Sequence, residues 1–161
     1  MGMTGYLQQV SMPQLDSLLA RLDELNGIIV HEDFDVEALD IDKAWHGIHF
    51  ILNGSSFDGE EPLVYTILGG TPVGADEGHG PARYLTDGQV RAVAEELSQI
   101  NHEELERRFD PEQLSAEGIY PSGSEWNDEE DKEYVLSYFH EVAAYYTDAA
   151  SKGYGMILYM M

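Results

Sequence analysis

Apolar side chains recur three and four positions apart in four stretches of the chain, a spacing typical of helices that bury one face. The stretches are residues 13–25, 42–52, 87–100 and 130–152. Asn26-Gly27 and Asn53-Gly54 follow the first two and are typical helix stops. Thr86 and Gln89 form a capping box before the third stretch. The middle of the chain is therefore predicted to be mostly helical.

The longest predicted helix follows the acidic segment 127–130 and ends at Lys152-Gly153. Its predicted buried stripe consists of Val135, Phe139, Val142, Tyr146 and Ala149. Two shorter helices are predicted at residues 103–109 and 111–116, where Asp110-Pro111 supplies a cap and a first helical position.

Short runs outside the helices are predicted to be strands. They are residues 1–10, 28–30, 81–85 and 155–161. Residues 63–68 suit either a short helix or a strand, and the preceding Pro62 favours the helix. Residues 69–81 hold five glycines and two prolines, too many breakers for regular structure. We predict one α+β domain over residues 1–161, in which strands from both chain ends pair in a small mixed or antiparallel sheet.

Composition fits one folded protein and excludes several classes. The hydrophobic fraction of 43% argues against disorder, and the absence of cysteine excludes a disulfide framework and any thiolate site. The longest apolar run, residues 156–161, is too short to cross a bilayer, and the N-terminus lacks the pattern of a signal peptide. These features predict a cytoplasmic protein without a membrane span.

Acidity is the most extreme property of the sequence, with 31 acidic residues against 8 basic ones and a net charge of −23. Nucleic acid is a poor partner for such a chain, because binding to phosphates depends on lysine and arginine. Basic proteins and cations would instead be attracted. The acidic residues concentrate at 32–61 and 110–133. Solubility, or a salt-rich or acidic environment, explains the same charge without a partner.

Several segments together resemble the YfbM-like family of small bacterial proteins. The similarity lies in residues 1–6 (MGMTGY), in residues 39–54 (LDIDKAWHGIHFILNG) and in residues 119–121 (IYP), and it spans the whole chain. The resemblance implies a bacterial, cytosolic, single α+β domain. This family has no assigned function, so the resemblance carries over no catalytic residue and no substrate.

The 39–54 block contains the most suggestive set of side chains. Asp42, His46 and His49 are spaced i, i+4 and i+7, so on a helix they share roughly one face. Two imidazoles and a carboxylate are a plausible ligand set for zinc or a similar divalent metal. In the alternative interpretation Asp42 caps the helix, and a histidine bonds to nearby backbone while it packs beside Trp45.

His49 and four further residues are candidates for a binding site. His79 lies in the glycine-rich segment, where a loop histidine on a rigid scaffold is suited to binding. Arg83 either neutralises local carboxylates or binds an anionic ligand, and Tyr84 is its neighbour in the predicted strand 81–85. Trp45 is either a core residue or part of a contact surface.

Two functional hypotheses remain. The first is a non-catalytic binding protein, similar to an inhibitor or immunity protein, that uses its acidic face to recognise a basic protein and needs no cofactor. The second is a small metal-dependent hydrolase or metal-binding protein that uses His46, His49 and Asp42. Neither a Gly-x-Ser-x-Gly segment nor a cysteine nucleophile is present in the sequence.

Overall fold

The computed structural model of the protein describes residues 2–21, 33–74, 76, 78–121, 126–127 and 129–161. Five strands form one sheet in the order β2-β1-β5-β4-β3, and every neighbouring pair is antiparallel. The strands are β1 (Gly5–Val10), β2 (Leu39–Asp40), β3 (Thr71–Val73), β4 (Ala82–Leu85) and β5 (Gly155–Met160). The two terminal strands, β1 and β5, pair along their whole length, which confirms the predicted α+β class.

Six α-helices and two single-turn 3-10 helices are described. The α-helices are α1 (Met12–Leu19), α2 (Trp45–Asn53), α3 (Asp87–Ser98), α4 (His102–Arg108), α5 (Pro111–Ala116) and α6 (Glu130–Lys152). The 3-10 helices cover Asp42–Ala44 and Leu63–Tyr65. Within the described residues, no helix combines the length and the apolar character that crossing a membrane requires.

The sheet has a large core on one face and a smaller one on the other. Along β5, Met156 and Leu158 belong to the large core, while Ile157 belongs to the small core with Leu15 and Leu18 of α1. This alternation follows from the two-residue period of a strand. The predicted stripe of α6 is buried throughout and packs in the large core.

The helix signals in the sequence are confirmed where they rest on capping chemistry. Thr86 and Gln89 form the predicted capping box at the start of α3. Asp110 caps α5, and glycines with positive φ, Gly54 and Gly153, end α2 and α6.

Three features of the structure differ from the prediction. Helix α1 ends at Leu19 rather than near Leu25, although Leu22, Leu25 and the predicted strand at 28–30 lie outside the described residues. The segment 69–81 is not wholly irregular, because Thr71–Val73 pairs with β4 as an edge strand that tolerates its proline. Strand β2 has only two residues and no sequence signal.

Helices α2 and α6 approach each other closely at Gly47. A Cβ atom placed on this glycine would lie 3.1 Å from Val135 Cγ2 and 3.5 Å from Trp126 Cη2. The absence of a side chain at Gly47 therefore allows the two helices and the Trp126 ring to meet.

Candidate functional site

The two histidines of α2 are buried, and both ring nitrogens of each are occupied. His46 Nδ1 accepts a hydrogen bond from the Tyr120 backbone N–H (2.7 Å), and its Nε2 lies 2.8 Å from the Ser56 carbonyl oxygen. His49 Nε2 lies 3.2 Å from the Asp58 carbonyl oxygen, and its Nδ1 lies 3.3 Å from the Asn53 side-chain nitrogen. The two rings thus attach the segment after α2, and the segment around Tyr120, to the helix.

These partners define the protonation state of both rings. A carbonyl oxygen only accepts, so Nε2 of each ring carries the hydrogen, and Nδ1 of each ring accepts from an N–H group. Burial lowers the pKa of His46, and burial is also the main cause that lowers the pKa of His49 to about 4. Both imidazoles are therefore neutral at pH 7.

Asp42 does not share the face of the two histidines. It lies in the 3-10 turn that precedes α2 and has a positive φ of 48°. Its carboxylate accepts a hydrogen bond from the Tyr134 hydroxyl (2.7 Å), and its backbone N–H donates to Asp40 Oδ1 (2.8 Å). The predicted capping role of Asp42 is wrong, since α2 begins after Ala44 without a side-chain cap.

The geometry gives the predicted metal ligand set no support. The ring nitrogens of His46 and His49 face protein backbone and Asn53, while the Asp42 carboxylate faces Tyr134. In the part of the chain that the structure describes, no group of three or more histidine, aspartate or glutamate side chains is placed to hold a metal ion. The structure instead agrees with the alternative interpretation for the histidines: both bond to nearby backbone, and His46 stacks on Trp45 at a centroid distance of 4.9 Å.

The five residues predicted for binding are not brought together at one site. Trp45 is 5% exposed, stacks on Tyr120 and donates its indole N–H to the Met3 carbonyl oxygen (3.0 Å). His79 is exposed in a turn where Asp76 Oδ1 accepts from two backbone N–H groups.

Arg83 and Tyr84 are consecutive on β4 and therefore point to opposite faces of the sheet. Tyr84 packs with the small core. Arg83 lies opposite Leu158 of the large core and is within electrostatic reach of His49 and Tyr146. The fold thus brings Arg83 of β4 within electrostatic reach of His49 of α2, two predicted binding residues that are distant in sequence.

A pocket that the sequence did not indicate lies where α6 begins. It encloses about 390 Å³ and is lined by Lys43, Pro121, Trp126, Glu130, Asp131 and Tyr134. We call it the Trp126 pocket. Trp126 packs against the large core beside α6, a tertiary contact that no local spacing reveals.

The aromatic side chains of the Trp126 pocket are held in place by their own contacts. Trp126 donates its indole N–H to the Ile119 carbonyl oxygen (3.2 Å) and meets Phe109 edge-on at a centroid distance of 6.1 Å. Tyr134 is anchored by its hydrogen bond to Asp42 and by an edge contact with Tyr138 at 5.2 Å. Burial and the bond to Asp42 raise the pKa of Tyr134, so its hydroxyl remains protonated.

A second histidine pair, also missed from sequence, lies on the surface between α4 and α6. His102 Nδ1 is 3.1 Å from His140 Nε2, and His102 Nε2 is 3.1 Å from Glu106 Oε1. The two residues are 38 positions apart, so only the packing of α4 on α6 brings them together.

Comparisons with known proteins agree with the resemblance read from the sequence. The chain is 30% identical to the protein YfbM of Escherichia coli strain K12 over 126 residues, which cover 75% of this chain and 74% of that protein. Its fold matches the crystal structure of YfbM from Escherichia coli, described as a protein of unknown function, with a TM-score of 0.76 and 22% identity. That match covers 98% of this chain and 99% of the other.

The family model described as a domain of unknown function, DUF1877, matches residues 1–159. Because this match covers nearly the whole chain, the chain belongs to the DUF1877 family, whose YfbM-type members have no assigned function.

Proposed function

We propose that this protein is a non-catalytic binding protein that recognises a basic protein partner, and that the Trp126 pocket receives a lysine or arginine side chain of that partner. The observation that carries this proposal is a pocket in which two aromatic rings stand beside two carboxylates. Aromatic faces and carboxylates both attract organic cations.

The aromatic residues of the pocket suit an interface anchor. Trp126 and Tyr134 are each fixed by a hydrogen bond and an edge contact, so little conformational entropy is lost when a partner binds. Tryptophan and tyrosine are also enriched among residues that dominate binding energy.

The charges around the pocket favour a cation over an anion. Glu130 is exposed, whereas Asp131 also accepts a hydrogen bond from the Asn127 backbone N–H (2.8 Å). Lys43 is the one cation in the lining, and its Cε and Nζ atoms lie beside Gly2. The net charge of −23 adds a long-range field that attracts a basic protein.

Charge reversal within and outside the pocket tests the proposal. Binding of a synthetic lysine- and arginine-rich peptide is measured by titration calorimetry at low and high salt. We expect Glu130→Lys to weaken binding several-fold more than Glu95→Lys, a matched charge reversal at an exposed position of α3. Equal weakening by the two variants would show attraction to net charge alone, and the pocket proposal would be abandoned.

Removal of the indole tests the aromatic part separately. Trp126→Leu keeps an apolar side chain but removes the aromatic face, so we expect weaker peptide binding at high salt, where long-range attraction is screened. Thermal unfolding of the variant serves as the control for its folded state. Unchanged binding at high salt would exclude Trp126 as the anchor.

A further inference from the structure

Arg83 differs from three other arginines, each of which forms an ion pair with a carboxylate. Arg91 bonds to Asp87, while Arg107 and Arg108 both bond to Glu104. Arg83 has no carboxylate partner within 4 Å among the described residues, although the chain has 31 acidic residues. The described residues thus give no support to the neutralisation of a local carboxylate, and binding of an anionic ligand stays the alternative prediction.

The guanidinium of Arg83 is poorly supplied with acceptors. One long hydrogen bond, 3.4 Å from Nη1 to the Gly69 carbonyl oxygen, is its single partner within the described part of the chain. A guanidinium has five N–H donors. Arg83 is neither buried nor fully exposed, so solvent and a small ligand can approach its side chain.

Two titratable side chains within electrostatic reach of Arg83, Tyr146 and His49, are neutral. Tyr146 donates its hydroxyl to the Thr66 carbonyl oxygen (2.6 Å), and burial raises its pKa. His49 is neutral because burial lowers its pKa to about 4. Burial also lowers the pKa of Arg83 itself, which shows that water does not fully solvate this cation.

Thr66 supplies a second, independent sign of a missing partner. Its side chain is 0% exposed, and Thr66 Oγ1 is the one buried side-chain polar atom without a hydrogen bond among the described residues. Thr66 adjoins Tyr146 through the bond to its carbonyl oxygen, and it precedes Gly69 by three residues. Buried polar groups are rarely left without a partner in native proteins.

The geometry points to a binding site for a small carboxylate monoanion at the Arg83 guanidinium. The planar fork of a guanidinium matches the two oxygens of a carboxylate, and the acid supplies the counter-charge that the described residues do not. A monoanion is favoured over phosphate because the net charge of −23 repels a second negative charge more strongly. This site is separate from the Trp126 pocket.

Nuclear magnetic resonance of the intact protein with ¹⁵N-labelled arginine tests the site directly. The chain has only five arginines, so the five side-chain Nε–H signals are resolvable. Sodium acetate, sodium phosphate and sodium chloride are titrated at constant ionic strength. We expect the Arg83 signal to shift saturably with acetate, at lower concentration than with phosphate, and not to saturate with chloride.

Two variants accompany the titration. Arg83→Lys keeps the charge but loses the fork, and we expect about tenfold weaker acetate binding, which corresponds to 1.4 kcal/mol. Arg91→Gln removes an exposed, paired arginine and should leave the Arg83 response unchanged. No saturable shift of Arg83 in the wild-type protein, or a preference for phosphate, would overturn the proposal.

Discussion

Helix α2 and the region around Arg83 both contain side chains rich in nitrogen, but the two regions differ in how many of those nitrogens are hydrogen-bonded within the protein. In α2, all four ring nitrogens of His46 and His49 have partners in the protein. Around Arg83, one long bond serves a five-donor group, and Thr66 Oγ1 has none among the described residues. A polar group whose bonds are all made within the protein stabilises the fold, whereas one left incomplete is a candidate for binding a ligand or water.

Residue type alone would favour the histidines over Arg83 as binding residues, and the hydrogen bonds favour the reverse. Histidines at helical spacing are a familiar metal pattern, yet here their nitrogens hold two loop segments in place. An arginine in an acidic chain suggests an ordinary ion pair, yet Arg83 lacks one among the described residues. The number of unused hydrogen bonds, rather than the residue type, is therefore the property on which the Arg83 proposal rests.

The largest loss of stability is expected when a buried histidine with two hydrogen-bonded ring nitrogens is replaced. His49→Ala removes a fully buried ring together with its bonds to Asp58 and Asn53, so we expect the free energy of unfolding to fall by about 3 kcal/mol. Urea denaturation measures the change. His79→Ala, at an exposed loop position, is the control and should stay within about 0.5 kcal/mol of wild type. A loss of unfolding free energy for His49→Ala as small as that for His79→Ala would contradict the stabilising role of the His49 hydrogen bonds.

Acid should destabilise the protein through the same residue. Burial holds the pKa of folded His49 at about 4, below its ordinary value of 6.5, so the folded state binds fewer protons than the unfolded state between these values. Its contribution is complete above pH 6.5 and is lost as the pH falls toward 4, by about 3 kcal/mol at most. Urea denaturation of wild type and His49→Met across this range should show the steeper acid loss in wild type, and parallel curves would contradict the prediction.

A smaller loss of stability is expected when the partly buried hydrogen bond between Tyr134 and Asp42 is removed. Tyr134→Phe removes the hydroxyl that bonds Asp42 and the Lys43 backbone, so we expect a loss of about 1 kcal/mol in the free energy of unfolding. Urea denaturation at pH 7 checks it. Tyr154→Phe is a control, because no hydrogen bond of its hydroxyl is described, and it should change stability less.

The smallest effect is expected for Arg83. Arg83→Met keeps an apolar stem and removes a cation that has no carboxylate partner among the described residues, so the free energy of unfolding should change by less than about 1 kcal/mol. Arg108→Met, which breaks bonds to Glu104 and the Ile51 carbonyl oxygen, is the comparison. A loss of several kcal/mol for Arg83→Met alone would show that the protein itself satisfies this arginine.

Much of the fold follows from local signals. Capping at Thr86 and Asp110, and the glycine stops at Gly54 and Gly153, were readable because each depends on residues within one helical turn. The pairing of the chain ends was also predicted, since a strand at each end must find a partner. Strand β2 was missed because its two residues are set by pairing with β1, not by their own pattern.

The candidate sites depended on contacts that sequence spacing does not contain. The Asp42, His46 and His49 pattern predicted a shared face, but a turn at Asp42 separates the carboxylate from the rings. Conversely, Trp126 and Tyr134 line one pocket at the start of α6, and Arg83 of β4 lies within electrostatic reach of His49 of α2.

By itself the sequence determined a single α+β domain, the capped helices, the buried stripe of α6 and the strong negative charge, because composition, periodicity and capping act over a few residues. Only the tertiary structure decided which polar groups are satisfied. Hydrogen-bond partners such as Ser56 and Asp58 for the histidines are backbone groups that any residue carries, so their identity is invisible in the sequence. The incomplete bonding of Arg83 and Thr66 appears only once the whole chain has been folded around them.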